Sequence, residues 1–435
     1  MANSSYYKPE TIALHTGYKP ESDHGSRAVP IYQTTSYAFD GVQMASSLFN
    51  VEQGGHIYSR ISNPTVAVLE QRMAALEGGT GAICTASGMS ALFSTFITLC
   101  SAGDHIVSSE QIYGSTATTL RYTLKRFGIE CDFIPINDMD ALRSSIRPNT
   151  KLVFCESISN PGMEVSNLPE ISKLANSFGL PVVVDATFAT PSLSRPIEHG
   201  ANIVVHSITK WIGGHGNSIG GCIIDGGNFN WGCLNKKKKN KFPELTDPYA
   251  PFHGISFWEE FGPTAFVMKV RSEAMRDIGA ALSPNNAFLI LQGLETLDLR
   301  MRKHVENTKA LLEWLKSQDG VLWVRHPEMR DDEHIKKMFP NGAGSMICFG
   351  VAGGKKGGAA FINSLSLSSH LANVGDSRTL VLHPGSTTHS RLTKKDMKSA
   401  GISEDLIRVS VGIENIEDIK TDFKTGLKSA LRAIK

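Results

Sequence analysis

The stretch PVVVDATFATPSLSRPIEHGANIVVHSITKWIGGHG, residues 181–216, decides the fold. It contains two short, almost wholly apolar runs, Val182–Val184 and Ile203–Val205, and polar residues follow each run at once. β-Branched runs of this kind are typical of strands buried on both faces of a parallel sheet. Open α/β sheets bind their ligands at the carboxyl ends of such strands. The pattern therefore predicts that Asp185 and the segment 207–210 lie at one edge of a sheet.

An amine and a carboxylate at one strand edge have a specific chemical use. A lysine can form an imine with the aldehyde of pyridoxal 5′-phosphate, while an aspartate keeps the pyridine nitrogen protonated, so that the ring accepts electrons from a substrate carbanion. Lys210 and Asp185 therefore suggest this cofactor. An isolated aspartate more often caps a helix and an isolated lysine is more often solvated, so the hypothesis depends on the rest of the chain.

Length and composition are those of an ordinary globular protein. The 435 residues are 41% hydrophobic and 20% charged, a length that predicts about two to three domains with a large core. Lys and Arg number 44 and Asp and Glu 42, a formal charge of +2. With no strong net charge, nothing favours nucleic acid or a membrane as a partner. We expect small-molecule substrates.

The cysteines and the N-terminus indicate the compartment. Seven cysteines are scattered without C-x-x-C spacing, several of them inside apolar runs such as KLVFC. This pattern predicts free thiols in a reducing compartment, with no zinc site and no disulfide framework. MANSSYYKPE has no apolar signal region, and no apolar run approaches the ~18 residues of a membrane span. We therefore expect a cytoplasmic protein.

Periodicity along the chain predicts three parts. Residues 1–62 are rich in turn formers and lack a core of their own, as expected of an extended arm that lies on another part of the protein or on another subunit. Residues 63–280 alternate strand-like and helix-like segments, which predicts a mostly parallel sheet with helices on both faces. Residues 281–435 begin with long helical segments and predict a smaller C-terminal α/β domain. Within the large domain, Asn63 is a candidate helix N-cap and Gly78 a helix stop.

Two local features allow more than one interpretation. GAICTASGMSALF reads as strand, Ser87-Gly88 turn and helix, a geometry that presents backbone N–H groups to a phosphate, although any α/β protein contains such turns. The insert between Trp231 and Tyr249 contains Lys236–Lys239 and Lys241. A solvated loop is the simplest interpretation of the insert, and an anion-binding or localisation role is the alternative.

Eight motifs spread over nearly the whole chain resemble those of one family. They occur in order as YSRISNPT, TASGMSAL, VVVDATFATP, HSITKWIGGHG, LQGLETL, ANVGDSRTL, HPGSTTH and RVSVGIE. Together they resemble the Cys/Met-metabolism family of pyridoxal-phosphate enzymes, whose fold is called type I and consists of a large cofactor-binding domain, a smaller C-terminal domain and an N-terminal arm. The insert and the C-terminal strings are most similar to members that act on O-acetyl-L-homoserine.

The resemblance implies a set of cofactor-binding residues. Lys210 matches the lysine that binds the cofactor covalently and shuttles protons between the substrate α and β carbons, and Asp185 matches the partner of the pyridine nitrogen, with Thr187 beside it. Tyr58 and Arg60 match phosphate contacts supplied by a neighbouring subunit, for which a guanidinium fork is suited. The remaining matches to the cofactor site are Ser87, Gly88, Met89, Ser207 and Thr209 in the phosphate cup and Asn160 near the phenolic oxygen.

The resemblance also implies how the substrate is held. Tyr113 matches the tyrosine that stacks on the pyridine ring and helps to release the γ-leaving group. Arg408, inside the strand-like run LIRVSVGIE, matches the arginine that clamps the substrate α-carboxylate. A buried arginine is costly without an anion, so the residue type supports the same role. Asn373 matches a pocket residue near that carboxylate.

Three positions depart from the usual family pattern. Ala186 follows Asp185 where most relatives have Asn, Ser115 stands where γ-lyases often have Cys, and Gly385 replaces a commoner alanine. Ser115 argues against a methionine γ-lyase. Gly385 is expected to leave more space near the substrate, enough for a nucleophile larger than sulfide.

The function implied by the resemblance is γ-substitution on O-acetyl-L-homoserine, with sulfide as the nucleophile and homocysteine and acetate as products, a step of methionine biosynthesis. The alternatives are γ-substitution with a carbon or amine nucleophile in secondary metabolism, γ-elimination or cystathionine γ-synthase-type activity, and a cofactor-binding scaffold without turnover. The family is typically a homotetramer built as a dimer of dimers, and we expect the same assembly here.

Overall fold

The computed structural model describes residues 7–20, 24–234, 239–387 and 401–435. Two β-sheets organise these residues, one with seven strands and one with five. The strands are β1 Gly81–Thr85, β2 His105–Ser109, β3 Glu130–Ile134, β4 Thr150–Glu156, β5 Val182–Asp185, β6 Ile203–His206, β7 Gly221–Asp225, β8 Val321–Arg325, β9 Met346–Val351, β10 Ser369–His370, β11 Leu380–Leu382 and β12 Leu406–Ser410.

Helices surround both sheets. The α-helices are α1 Pro9–His15, α2 Val42–Phe49, α3 Pro64–Glu77, α4 Gly88–Leu99, α5 Gly114–Thr118, α6 Met139–Ser145, α7 Leu168–Ser177, α8 Thr190–Leu193, α9 Pro243–Thr246, α10 Phe257–Phe261, α11 Ala265–Lys269, α12 Pro284–Glu295, α13 Leu297–Lys316, α14 Glu333–Met338, α15 Gly354–Asn363 and α16 Ile416–Ala433. The 3₁₀ segments are Leu124–Phe127, Pro196–His199, Ala250–Phe252, Gly262–Thr264, Pro327–Met329 and Pro384–Ser386, and the π-helical segments are Thr119–Thr123 and Val270–Ile278.

The seven-stranded sheet confirms the predicted mostly parallel architecture. Its strand order is β1-β7-β6-β5-β4-β2-β3. Only β7 runs against its two neighbours, and the other adjacent pairs are parallel. The two apolar runs that open the sequence analysis form β5 and β6, which pair in register with Val184 opposite Val204. The polar residues after these strands therefore lie at one edge of the sheet, as predicted.

Both faces of this sheet are buried, which explains why its central strands contain almost no polar residues. Val182 and Val184 belong to the hydrophobic core on one face, whereas Val183 belongs to the core on the other. Side chains of a strand alternate between faces, so a strand covered on both sides must be apolar at every position. This burial forces the first polar groups to the strand ends.

Local signals set the helices that border the site. Asn63 accepts hydrogen bonds from Thr65 N and Val66 N at the start of α3, and Gly78 ends that helix with φ of 76°. Ser87 caps α4 by accepting from Ser90 N at 3.1 Å, and the Ser90 hydroxyl accepts from Ser87 N at 2.9 Å. The predicted caps of α3 and the predicted strand, turn and helix around Ser87 are confirmed.

The five-stranded sheet has the order β10-β11-β12-β9-β8 and is mostly antiparallel. Its core contains three aromatic rings in mutual contact. Phe361 of α15 lies 5.5 Å from Phe349 of β9 and 5.4 Å from Phe423 of α16, measured between ring centroids and in edge-to-face geometry. This smaller sheet matches the predicted C-terminal α/β domain, and the boundaries at residues 62 and 280 stay predictions.

Two helical segments in the second half of the chain are not single regular α-helices. The long helical pattern of residues 287–317 is interrupted at Thr296, which separates α12 from α13, and the run from Ala265 continues as a π-helix after Lys269. Hydrophobic periodicity over so few turns does not distinguish these geometries. The arm lies in part on its own chain, because α1 buries Ile12 and Ala13 in the core that contains α3.

The insert is anchored more firmly than a solvated loop. Trp231 and Phe242 pack edge to face with centroids 5.2 Å apart, and Lys241 Nζ donates to the carbonyl of Phe178 at 2.8 Å. Lys236, Lys237 and Lys238 lie outside the described residues. Within the described ranges, no helix is both long enough and apolar enough to span a membrane.

The aromatic cluster of the small sheet generates a stability prediction. Phe361→Ala should lower the free energy of unfolding by about 3–5 kcal/mol, because it removes a buried ring and leaves a cavity. Phe127→Ala is the matched control, since Phe127 is 54% exposed, and it should cost less than about 1 kcal/mol. Denaturant titration followed by circular dichroism would measure both. Equal losses in the two variants would contradict the central role of the cluster.

Candidate active site

A cavity of about 280 Å³ lies at the carboxyl edge of the large sheet. Residues following β1, β2, β4, β5 and β6 line it, together with residues near β12 of the small sheet. Twelve of the predicted site residues line this cavity: Ser87, Gly88, Met89, Tyr113, Asn160, Asp185, Thr187, Ser207, Thr209, Lys210, Asn373 and Arg408. The other lining residues are Leu92, Glu156, Ile158, Phe188, Ile219, Ala372 and Val374.

Asp185 ends β5 and is held by Thr187. Its Oδ1 accepts hydrogen bonds from Thr187 N at 3.0 Å and from Thr187 Oγ1 at 2.6 Å. No other group in the described part of the chain donates to this carboxylate. Burial raises the pKa of Asp185, and the hydrogen bonds from Thr187 oppose that rise. A cationic partner in the cavity would stabilise the charged form further.

Lys210 lies in the turn that follows β6. Its N–H donates to Ser207 O at 3.2 Å, and Gly214 N donates to Lys210 O at 2.7 Å, so the backbone on both sides of the residue is fixed. Lys210 Nζ donates to Asn373 Oδ1 at 2.5 Å. Burial, followed by repulsion from Arg408, lowers the pKa of Lys210 to about 8. The amine therefore has a substantial neutral, nucleophilic fraction near physiological pH.

The start of α4 faces the same cavity and has the features of an anion site. The capping box uses the N–H groups of Ser87 and Ser90, so those of Gly88 and Met89 find no acceptor among the described residues. A Cβ on Gly88 would lie 2.7 Å from Ser207 Cβ, so only glycine lets the helix approach the β6 turn this closely. Unpaired N–H groups at a helix N-terminus favour a bound anion.

Arg408 is brought to the cavity by β12 of the small sheet. It is only 9% exposed, and within the described ranges it has no carboxylate partner. Its guanidinium donates to Asn160 Oδ1 at 3.1 Å, and burial lowers its pKa. A buried guanidinium with unused donors is a suitable site for an incoming carboxylate.

Glu156 is a lining residue that the sequence analysis missed. It ends β4 beside Asp185, and its pKa is raised well above the usual range by burial and then by the Asp185 carboxylate. Its Oε1 accepts from Tyr113 N at 2.6 Å and its Oε2 from Asn160 N at 3.2 Å. The signal was present in the sequence, because KLVFCE ends in an acid as PVVVD does.

Two predicted residues lie outside this cavity. Tyr58 is 42% exposed, and the guanidinium of Arg60 lies over its ring at 5.5 Å. Arg60 donates to the carbonyl of Arg276 within its own chain. The expectation that both residues serve the site of a neighbouring subunit stays a prediction.

The positions that depart from the family pattern differ in their relation to the cavity. Ala186 is fully buried behind Asp185, and Ser115 is exposed in α5. Gly385 is buried in the 3₁₀ segment Pro384–Ser386 and is not among the described residues that line the cavity. The expectation that Gly385 leaves extra space in the substrate pocket therefore stays a prediction.

The residues present fit pyridoxal 5′-phosphate. A phosphate suits the N–H groups of Gly88 and Met89 and the hydroxyl of Ser207, a pyridinium suits the under-used Asp185 carboxylate, and an aldehyde suits the Lys210 amine. Thr209 lines the same cavity, but its hydroxyl donates to Gly220 O at 3.1 Å. Ser207 N donates to Thr187 Oγ1 at 2.8 Å, so the anion site and the Asp185 carboxylate are held in a fixed relation.

Fold and site together define a pyridoxal-phosphate enzyme of fold type I. A family model described as Cys/Met metabolism PLP-dependent enzyme matches residues 10–428, and the chain belongs to this family. It is 46% identical to a homocysteine synthase of Schizosaccharomyces pombe over 97% of this chain and 98% of that protein. Identity to an O-acetyl-L-homoserine sulfhydrylase of Leptospira meyeri is 43%, with 97% of each chain covered.

A solved structure shares the fold. It is a Campylobacter jejuni protein named for O-acetylhomoserine (thiol)-lyase activity, and it contains an N′-pyridoxyl-lysine 5′-monophosphate. It is 37% identical to this chain and superposes with a TM-score of 0.91, covering 97% of this chain and 100% of its own.

The close approach at Gly88 predicts a specific loss of phosphate binding. Gly88→Ala should raise the dissociation constant for pyridoxal 5′-phosphate about tenfold or more, because the new Cβ separates α4 from Ser207 and weakens charge-assisted hydrogen bonds. Equilibrium dialysis would measure it, with phosphate-free pyridoxal as the control ligand. A loss of equal size for pyridoxal would contradict the assignment of this helix end to the phosphate.

The lowered pKa of Lys210 predicts the pH dependence of cofactor attachment. Only the neutral amine attacks an aldehyde, so the rate at which pyridoxal 5′-phosphate attaches to cofactor-free protein should rise with pH. The rate should reach half its maximum near pH 8, whereas a solvated lysine titrates near 10.5. Stopped-flow absorbance would record the rate, with Nα-acetyllysine as the reference amine. A midpoint that coincides with the reference would contradict the buried, partly neutral state of Lys210.

Proposed function

We propose that this protein catalyses γ-substitution on O-acetyl-L-homoserine, with sulfide as the nucleophile and homocysteine and acetate as products. The observation that carries the proposal is the position of Lys210, whose amine lies in one cavity with the Asp185 carboxylate and the Arg408 guanidinium. The relatives named for homocysteine synthesis and O-acetyl-L-homoserine sulfhydrylation, which match this chain over nearly its full length, support the choice of substrate.

Each charged residue has a distinct part in this proposal. Arg408 binds the α-carboxylate of the substrate through the guanidinium donors that Asn160 leaves unused. When bound, pyridoxal phosphate supplies an electron sink that stabilises negative charge next to the substrate α-carbon. Asp185 would hold the ring nitrogen of the cofactor in its charged form, and Thr187 holds the Asp185 carboxylate in place.

Lys210 moves the protons. Its amine, once it is free in the presence of substrate, removes the α-proton and then a β-proton, and its lowered pKa allows it to act as a base near neutral pH. The Cγ–O bond to acetate breaks and a Cγ–S bond to sulfide forms, so the net exchange is acetate for thiol. Asn373 accepts a hydrogen bond from Nζ and thereby orients the amine. Tyr113, which lines the cavity and is 46% exposed, is assigned to the release of the leaving group.

We also propose that the active enzyme is a homotetramer, a dimer of dimers, in which Tyr58 and Arg60 serve the neighbouring subunit. Support comes from the arm, which leaves apolar side chains exposed for a second copy to cover. They are Ile31, Tyr32, Phe39, Val42, Met44 and Phe49. Seven free cysteines support the proposal of a cytoplasmic location, where thiols stay reduced.

The activity is tested with purified protein, O-acetyl-L-homoserine and sulfide, using mass spectrometry to detect homocysteine. We expect formation of homocysteine by the wild type and a loss of at least about 10³-fold in kcat for Lys210→Ala, which removes both the covalent attachment and the base. Borohydride reduction and peptide mapping should place the cofactor on Lys210. A label on another lysine, or turnover only with an amine or carbon nucleophile, would overturn this form of the proposal.

The shared site is tested by subunit mixing. Arg60→Ala and Lys210→Ala should each be inactive alone, whereas co-expression in equal amounts should restore about a quarter of wild-type activity, because half of the dimers contain one intact site of two. Activity per subunit of the unfractionated co-expressed protein gives the result, and tandem affinity purification of a sample verifies that hybrids have formed. No recovery in the verified hybrid would place Arg60 outside the neighbour's site.

A further inference from the structure

One carboxyl group in the cavity has no part in the reaction above. Glu156 is 6% exposed and pairs across the sheet with Asp185 at the ends of β4 and β5. Burying a second acid next to Asp185 is costly, because both burial and the neighbouring charge disfavour its ionisation. The hydrogen bonds that Glu156 accepts offset this cost and indicate its role.

Glu156 holds two different loops. Tyr113 N, in the segment after β2, donates to Oε1 at 2.6 Å, and Asn160 N, in the turn after β4, donates to Oε2 at 3.2 Å. The Ser166 hydroxyl donates to the backbone carbonyl of Glu156 at 2.7 Å, which fixes the residue itself. A carboxyl group offers an acceptor at each oxygen, whereas a glutamine offers one acceptor and one donor.

The contacts continue to the second sheet. Asn160 Oδ1 accepts from Arg408 at 3.1 Å, so a chain of hydrogen bonds runs from Tyr113 through Glu156 and Asn160 to the guanidinium. One end, Tyr113, lies in the segment that follows β2 of the large sheet, and the other end, Arg408, lies in β12 of the small sheet. Glu156 therefore connects Tyr113, which lines the cavity, with Arg408, which is suited to an incoming carboxylate.

We propose that Glu156 is a positioning residue: it holds Tyr113 and the Asn160–Arg408 pair in the arrangement that binds the amino-acid substrate. The inference rests on the proposed function, because it assumes that Arg408 receives the substrate carboxylate. It extends that function because it makes Glu156 responsible for the position of Tyr113 relative to Arg408.

The first test compares Glu156→Ala with Glu164→Gln. Glu164 lies in the same turn, accepts from Asn137 Nδ2 at 3.0 Å and does not line the cavity, so its conservative variant should behave as the wild type. Glu156→Ala should raise KM for O-acetyl-L-homoserine and lower kcat, for a combined loss in kcat/KM on the order of 10²-fold, as expected when a group is displaced by about 1 Å. The dissociation constant for pyridoxal phosphate should change less than threefold, because the phosphate and ring-nitrogen contacts are intact.

The second test is a double-mutant cycle with Asn160→Ala. Binding of L-norvaline, which has no leaving group, is followed by the absorbance of the bound cofactor. If Glu156 acts through Asn160, each single variant should weaken binding about tenfold and the double variant hardly more. Glu156→Gln keeps the side-chain volume and one acceptor, so this variant should fold and lose only part of the affinity for L-norvaline. It replaces Glu156→Ala in the cycle if the alanine variant is unstable.

The outcomes separate this inference from the proposed function. Multiplicative losses in the cycle, or wild-type values of KM and kcat in both Glu156 variants, would overturn the positioning role while leaving the activity of the wild type intact. A wild type without homocysteine formation, or with the cofactor on another lysine, would instead remove the proposed function. Coupled losses with unchanged cofactor affinity would support the role assigned to Glu156.

Discussion

The structure depends on one constraint, which is that charged groups must be held out of water at the ends of fully buried strands. β4, β5 and β6 are apolar on both faces, so Glu156, Asp185 and the segment up to Lys210 begin where the core stops. Their partial removal from solvent explains the direction of every pKa shift at the site, with acids raised and the lysine lowered. The same burial leaves Lys210 partly neutral and therefore able to act as a nucleophile and a base.

Hydrogen bonds connect these groups to one another and fix their relative positions. Thr187 Oγ1 donates to Asp185 and accepts from Ser207 N, which fixes the distance between the carboxylate and the anion site at α4. Gly88 permits the helix to approach Ser207 at van der Waals distance. A ligand with a phosphate at one end and a basic nitrogen at the other therefore meets groups whose separation is already set.

Much of this could be predicted from the sequence, for a physical reason in each case. Val182–Val184 and Ile203–Val205 predict buried strands because β-branched residues favour strands and short, wholly apolar runs are typical of strands covered on both faces. Asn63 and Gly78 mark the ends of α3 through local hydrogen bonding and a left-handed backbone. Twelve residues that line the cavity could be named from the resemblance, ten of them because they belong to the eight motifs, and Tyr113 and Asn160 because they match single positions of the family. The Thr296 interruption and the π-helical segment after Lys269 were beyond local periodicity.

The sequence by itself determined which polar residues follow each buried strand and which residues cap the helices. It also determined the chemistry of the amine, the carboxylate and the guanidinium. Only the tertiary structure decided which of them meet. Glu156 shows the difference: its place after an apolar run is visible in the sequence, but its contacts to Tyr113 and Asn160 require the pairing of β4 with β5 and the path of two loops. Such contacts join residues far apart in the chain, and local propensity does not encode the distance between them.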